Sequence, residues 1–139
     1  MSMDTLSMGI KAFLNKDEDA DTQLQENIRS IDELNQSLLE YLVKISGQQI
    51  SAEDEIMASK LHQIINDFYR EVEIADNMMK YTKSTIKQGL NFSDNVYAQI
   101  KTLDEKLTAQ YENISKLFET HDKDVLIEVD RIEAEIDTM

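Results

Sequence analysis

The chain has no cysteine, no proline and no tryptophan, and only three glycines, among its 139 residues. Without cysteine there are no disulfides, thiolate zinc sites or cysteine nucleophiles. The shortage of proline and glycine leaves little turn chemistry for an all-β fold. Basic residues are also few, because 14 Lys and Arg stand against 28 Asp and Glu, which gives a net charge of −14. This balance excludes electrostatic binding of nucleic acid, which requires a basic face.

Long hydrophobic runs are missing as well. The longest stretch without a charged residue is Ile45–Ala52, far below the ~20 residues of a membrane-spanning helix. No basic segment followed by an apolar one opens the chain, so a secretory signal is not indicated and a cytosolic location is expected. At 41% apolar residues, the composition is nevertheless rich enough to build a core.

Apolar residues recur at helical spacing along most of the chain. One stripe runs from Leu24 to Ile45 in alternating steps of four and three residues, and its polar member, Asn35, is predicted to set the register of the packing. Three more stripes follow, at 57–79, 96–117 and 125–139. The spacing therefore predicts an all-α protein.

The breaks between the stripes predict where the helices end. Gly47 is suited to the left-handed residue after a helix, and Ser51 is predicted to cap the next helix, with acids in its first turn. Long helices joined by short turns pack as an antiparallel bundle. We expect an elongated three- or four-helix bundle with spectrin-like packing, forming one domain over 1–139. In this bundle the three long helices bury their apolar stripes, or seams, against one another. The predicted helices are 2–15, 18–46, 52–88, 93–119 and 122–139.

An internal echo is present at an offset of 105 residues. The segment 13–19 shares Phe, Asp and Asp with 118–124 at this offset, and Ile31-Asp32 pairs with Ile136-Asp137. The echo predicts one three-helix repeat flanked by parts of neighbouring repeats.

No motif for catalysis is found. Asp17-x-Asp19-x-Asp21 begins like a calcium loop, but Thr22 replaces the required glycine and Ile28 the bidentate glutamate. Neither of the two histidines has a glutamate three residues before it, as di-iron bundles require. Nucleophile turns and glycine-rich phosphate loops are also missing, so we expect a protein that is not an enzyme.

One pair of carboxylates has the spacing of metal ligands. Glu133 and Asp137 lie four residues apart and therefore on one helix face. Two such acids can hold a hard or borderline cation in a groove. With 28 acids in the chain, a solvated acidic face is the simpler interpretation.

Two segments together resemble the PhoU domain. The first joins Glu40-Tyr41-Leu42-Val43-Lys44-Ile45-Ser46 to 50–54, and the second is 64–78, Ile-Ile-Asn-Asp-Phe-Tyr-Arg-Glu-Val-Glu-Ile-Ala-Asp-Asn-Met. The resemblance extends over about residues 8–139 and is strongest to the cytosolic C-terminal PhoU-like domain of bacterial sodium/phosphate cotransporters.

The resemblance implies a regulatory role in phosphate uptake and homeostasis. Its partner would be a membrane phosphate transporter domain, in cis or as a separate protein, at the inner face of the cell membrane. A stand-alone PhoU-type phosphate-signalling regulator and a structural helical scaffold or interaction protein remain alternatives, and a homodimer is compatible with each.

The resemblance also implies an iron or zinc cluster held by paired acids. Carried over by position, its ligands would be Asp32, Glu73, Glu133 and Asp137. The motif is partly lost, because Ile28 stands four residues before Asp32 where the family has an acid, and Tyr69 replaces a glutamate of the second motif.

Overall fold

The computed structural model describes all residues 1–139 and contains five α-helices. The prediction of an all-helical fold with five helices is confirmed, with no helix end more than three residues from the one expected. None of the five helices combines the length and the hydropathy that crossing a membrane requires. The helices are α1 Ser2–Asn15, α2 Asp21–Ser46, α3 Ala52–Gln88, α4 Asp94–Thr120 and α5 Lys123–Asp137.

The ends of α2 and α3 show which capping predictions hold. The Ser51 hydroxyl accepts a hydrogen bond from the Asp54 backbone N–H (3.1 Å) and donates to the Asp54 carboxylate (2.7 Å), so the predicted N-cap is confirmed. The left-handed conformation predicted for Gly47 is wrong, since its φ is −79°. Its N–H bonds to the Val43 carbonyl at 3.0 Å and continues the helical turn. The left-handed glycine is Gly89, with φ 63°, at the end of α3.

Helix α1 lies at the centre of the fold and packs against α2, α3 and α4. Nine of its 14 residues are buried, on more than one side of the helix. The main core cluster joins α1 to α2 and α3 and consists of Met3, Leu6, Ile10, Ala12, Leu24, Ala75 and Met79. A short helix is therefore the element around which the long ones assemble.

Helices α1 and α3 approach each other very closely at Gly9. A Cβ atom on Gly9 would lie 2.8 Å from the backbone oxygen of Ala75, whose own side chain is completely buried. Farther along, Lys16 donates a hydrogen bond to the Leu90 carbonyl at 3.1 Å. From the first contact to the second, the residue numbers increase in both helices, so α1 runs parallel to α3.

Helices α2 and α3 form an antiparallel hairpin. The Lys83 ammonium contacts the Asp21 carboxylate at 2.6 Å near one end, and Leu42 and Ala58 are buried near the other. Helix α1 covers only part of this hairpin, because ~14 residues of helix span ~21 Å whereas the ~37 residues of α3 span ~55 Å. We call residues 33–70, which lie beyond the core cluster, the α2–α3 arm.

Helix α4 packs on α1 and is joined to α5 by a second antiparallel hairpin. Lys106 of α4 forms an ion pair with Glu135 of α5, and the Gln110 amide donates to the Val129 carbonyl at 3.1 Å. No Cα atom of α4 lies within 8 Å of one in α2 or α3. The expectation that the three long helices bury their seams together is therefore wrong. Helix α1 stands between them because its apolar and small residues surround much of its circumference.

The turns after α1 and α4 have the same backbone conformation. Lys16 and His121 are 105 residues apart and are the only non-glycine residues with positive φ, at 53° and 55°. After each, the carboxylate of Asp17 or Asp122 accepts a hydrogen bond from the N–H two residues on, at 3.0 and 2.9 Å. The internal echo of the sequence thus extends to the local structure of these turns.

Candidate functional site

A polar groove runs between α2 and α3 where the core cluster gives way to the arm. Asp32 and Glu73 both line it, so the structure brings together two of the four predicted metal ligands. Ile28 and Tyr69 line the same groove, which has a volume of about 370 Å³. One oxygen of the half-buried Asp32 has no hydrogen-bond partner, and neither has the side-chain nitrogen of the adjacent buried Asn35. The register residue predicted from the sequence therefore does lie at the α2–α3 interface.

Of the three acids that line this groove, Asp76 is the one paired with a lysine. Its carboxylate contacts the Lys80 ammonium at 2.6 Å and accepts a hydrogen bond from the Gln25 amide at 2.7 Å. The bond from Lys80 lowers the pKa of Asp76 most strongly; Gln25 and the charge of Lys83 lower it further, against the opposing effect of partial burial. Lys80 and Lys83 are therefore each paired with an Asp of the acidic surface.

The other two predicted ligands lie elsewhere in the fold. Glu133 and Asp137 are exposed on α5, and no Cα atom of α5 comes within 8 Å of one in α2 or α3. The four carboxylates therefore do not form one centre. The physical reason is that α5 packs on α4 alone, and α1 separates α4 from the α2–α3 hairpin.

The donor set in the α2–α3 groove does not fit an iron or zinc cluster. Ile28 places a hydrocarbon side chain, and Tyr69 a phenol, where the resemblance requires carboxylates. No group of three His, Asp or Glu side chains converges anywhere in the structure as a metal centre would require. Two carboxylates flanked by such neighbours would coordinate a transition metal weakly.

The α2–α3 arm carries a second feature that the apolar spacing alone could not reveal. Met57, Leu61, Ile64 and Phe68 were expected in the core, yet they are 57, 42, 40 and 37% exposed. Helix α2 contributes further exposed apolar side chains in the same part of the molecule. We call this set the arm seam, and its members are Leu34, Leu38, Tyr41, Met57, Leu61, Ile64 and Phe68.

The arm seam is suited to binding another protein surface. Exposed apolar residues scattered singly are ordinary, whereas a set that follows helical spacing over several turns is typical of a face that packs against a partner. Comparisons with protein families, with curated proteins and with solved structures give no match to this chain.

Proposed function

We propose that this chain is a non-catalytic interaction domain that regulates phosphate uptake by docking on the cytosolic face of a membrane phosphate transporter. The observation that carries the interaction role is the arm seam, a helical stripe left uncovered by the rest of the fold. The assignment to phosphate uptake and to PhoU-like packing rests on the resemblance of the segments at 40–54 and 64–78. A sodium-dependent phosphate cotransporter is the transporter that this resemblance favours.

The seam offers apolar area for docking. Fully burying an exposed Leu, Ile, Phe or Met side chain contributes about 1.5–3 kcal/mol. The seven seam residues are 37–62% exposed, so each would contribute only part of this amount, against the entropy cost of association. Docking by itself changes no activity. Regulation requires that the domain bind one state of the transporter more tightly than another, and thereby shift the population between them.

The test combines phosphate uptake with seam variants. Cells that lack their own uptake system would express a bacterial sodium/phosphate cotransporter, with and without the domain. Replacing Leu61 and Ile64 with Asp should abolish both co-purification and the effect on uptake. Val43→Asp together with Ile127→Asp is the matched control, because both residues are 67% exposed and lie outside the seam. Unchanged uptake on adding the domain would contradict the proposal.

A structural scaffold is the second candidate, and the same seam favours it. Two arms packed together would form a four-helix bundle with the seams inside. Sedimentation equilibrium separates the candidates, because a scaffold of this kind is a stable dimer that Leu61→Asp dissociates, whereas the regulatory domain needs no self-association. A stand-alone regulator would act on uptake without being encoded in frame with a membrane domain.

A further inference from the structure

An apolar groove separates α3 from α4, with α1 as its floor. Its volume is about 440 Å³, and ten of its twelve lining residues are hydrophobic. They include Leu6 and Ile10 of α1, Ile74 of α3, and Leu107 and Ile114 of α4. No Cα atom of α3 lies within 8 Å of one in α4, so the groove is a gap between these two helices. It is distinct from the arm seam, which lies within residues 33–70.

The two polar side chains in this groove both present unsatisfied acceptors. Glu71 on the α3 wall and Gln110 on the α4 wall each have a buried side-chain oxygen without a hydrogen-bond partner. The amide nitrogen of Gln110 is already engaged by the Val129 carbonyl. Burial raises the pKa of Glu71, and the Ser2 hydroxyl and the N-terminal ammonium offset this in part. Two acceptors without donors destabilise the groove unless a donor enters it.

The internal repeat indicates what shape of ligand the groove accepts. At this offset the second half of α4 corresponds to α1, and α5 corresponds to α2. Helix α3 packs on α1, whereas α4 packs only on α1 and α5. The offset of 105 residues carries Leu6 to Tyr111 and Gly9 to Ile114, and both of these α4 residues line the groove. Gly9 is the point of closest approach to α3. The groove is therefore bordered by the face of α4 that corresponds to the α3-binding face of α1.

We propose that this groove binds one amphipathic helix of a partner protein, whose apolar face covers α1 and α4 and whose Lys or Arg donates to Glu71 and Gln110. Lys and Arg are donors without acceptors, which is the chemistry that two free oxygens require. A second copy is disfavoured, since each chain carries a net charge of −14. The inference rests on the proposed function, and cytosolic segments next to membrane helices are rich in Lys and Arg.

The experiment uses a designed fluorescent peptide and the whole 139-residue chain. The peptide is an amphipathic helix of about 18 residues, ~27 Å long, with Leu on one face and Lys along its border. A second peptide has Glu in place of every Lys, and a third has the same composition as the first in scrambled order. We expect binding of the Lys peptide alone, measured by fluorescence anisotropy.

Four variants locate the binding site. Glu71→Gln and Ile74→Asn should each weaken binding of the Lys peptide by about tenfold, because one removes the charged acceptor and the other an apolar wall. Glu133→Gln and Ile127→Asn are the controls, since both residues are exposed on α5 outside the groove. Circular dichroism checks that every variant retains its helix content. If Ile74→Leu binds the Lys peptide as tightly as the unchanged chain, the weaker binding of Ile74→Asn results from lost packing and not from lost folding.

Several results would overturn the inference. Equal binding of the Glu peptide or the scrambled peptide would refute the assigned chemistry, and equal losses in the control variants would refute the location. A dimer that Ile74→Asn dissociates would identify a second copy as the occupant. Peptide binding together with unchanged phosphate uptake would remove the proposed function and leave the groove as a helix-binding site. Regulated uptake without peptide binding would remove this inference alone.

Discussion

Gly9 shows how one missing side chain sets the distance between two helices. The gap at this position admits no Cβ, because the Ala75 backbone oxygen would lie only 2.8 Å from it. Backbone atoms cannot move aside as the end of a flexible side chain can. The position therefore tolerates only glycine, although glycine costs about 1 kcal/mol relative to alanine in a helix interior.

Gly9→Ala should destabilise the protein by about 1–3 kcal/mol, since overpacking at a helix contact outweighs the gain in helix propensity. Urea unfolding followed by circular dichroism measures the effect. Gly47→Ala is the matched control, because Gly47 has φ −79° and its nearest neighbour would be 3.5 Å from the new Cβ. We expect it to stabilise by about 0.4–1 kcal/mol. A neutral Gly9→Ala would mean that α1 and α3 can separate without cost.

Glu71 makes the stability depend on pH in a direction opposite to that of most carboxylates. Burial raises its pKa in the folded state above 4.5, so the folded protein binds its proton more tightly than the unfolded chain does. Its contribution is fully present below the unfolded pKa and is lost as the pH rises through the raised folded pKa.

Glu71→Gln should therefore stabilise the protein at pH 7, by about 1 kcal/mol after allowance for solvent screening. The gain should shrink as the pH falls through the raised pKa of Glu71 toward its unfolded value, which thermal unfolding from pH 4 to 8 would show. Glu133→Gln, on the exposed face of α5, should change little at any pH. A gain for Glu71→Gln that grows toward low pH would contradict the assigned sign.

At the scale of the helix, the ends of α3 and α4 differ in how they are capped. Ser51 caps α3 with two hydrogen bonds to Asp54, whereas Ser93 stands at the same position of α4 without a side-chain bond. The first turn of α3 lies at the tip of the α2–α3 arm, where few tertiary contacts hold it. The cap is therefore a larger part of the local stability there.

Ser51→Ala should cost about 1 kcal/mol of local stability, and Ser93→Ala should cost clearly less. Hydrogen exchange is the suitable measurement, because fraying at the tip of the arm need not affect global unfolding. Amides of the first turn of α3 should exchange about fivefold faster in the Ser51 variant. Equal acceleration at both helices would show that the observed hydrogen bonds do not govern the ends.

At the scale of the whole molecule, net charge opposes compaction. A chain with 28 acids and 14 bases repels itself, and its ion pairs, such as Lys83 with Asp21, neutralise only a minority of the acids. Salt weakens the repulsion as the Debye length falls from ~20 Å at low salt to ~8 Å near physiological strength.

Raising NaCl from about 20 to about 200 mM should therefore raise the melting temperature by a few degrees. Differential scanning calorimetry measures the shift. KCl at equal concentration should reproduce it, since screening does not depend on the identity of the cation. A fall in melting temperature with salt would mean that the attractive ion pairs outweigh the net repulsion.

Local features of the sequence predicted the helices and their ends well. The bounds of α1 and α3 agree with the prediction, because caps such as Ser51 act within a few residues of themselves. Gly47 was mispredicted because a glycine permits the left-handed conformation without requiring it. Met57, Leu61, Ile64 and Phe68 were expected in the core because periodicity shows which face is apolar and says nothing about what covers it.

The candidate site was predictable only in part. Asp32 and Glu73 share a groove because antiparallel packing of α2 on α3 was implied by their short connection. Glu133 and Asp137 were expected with them, but the path of α5 depends on which face of α4 meets α1. Even the echoed residues Phe13 and Phe118 differ, at 7 and 72% exposure, because their neighbours come from different helices.

Taken alone, the amino-acid sequence determined that this chain is helical, where each helix lies to within three residues, and that its net charge is −14. These properties follow from interactions among residues close together in the chain and from total charge. Tertiary structure decided that α1 is central, that the arm seam is open, and that α3 and α4 stand apart over an apolar groove. Those outcomes depend on which of several apolar helix faces pack against each other. The sequence of a single segment does not specify this pairing.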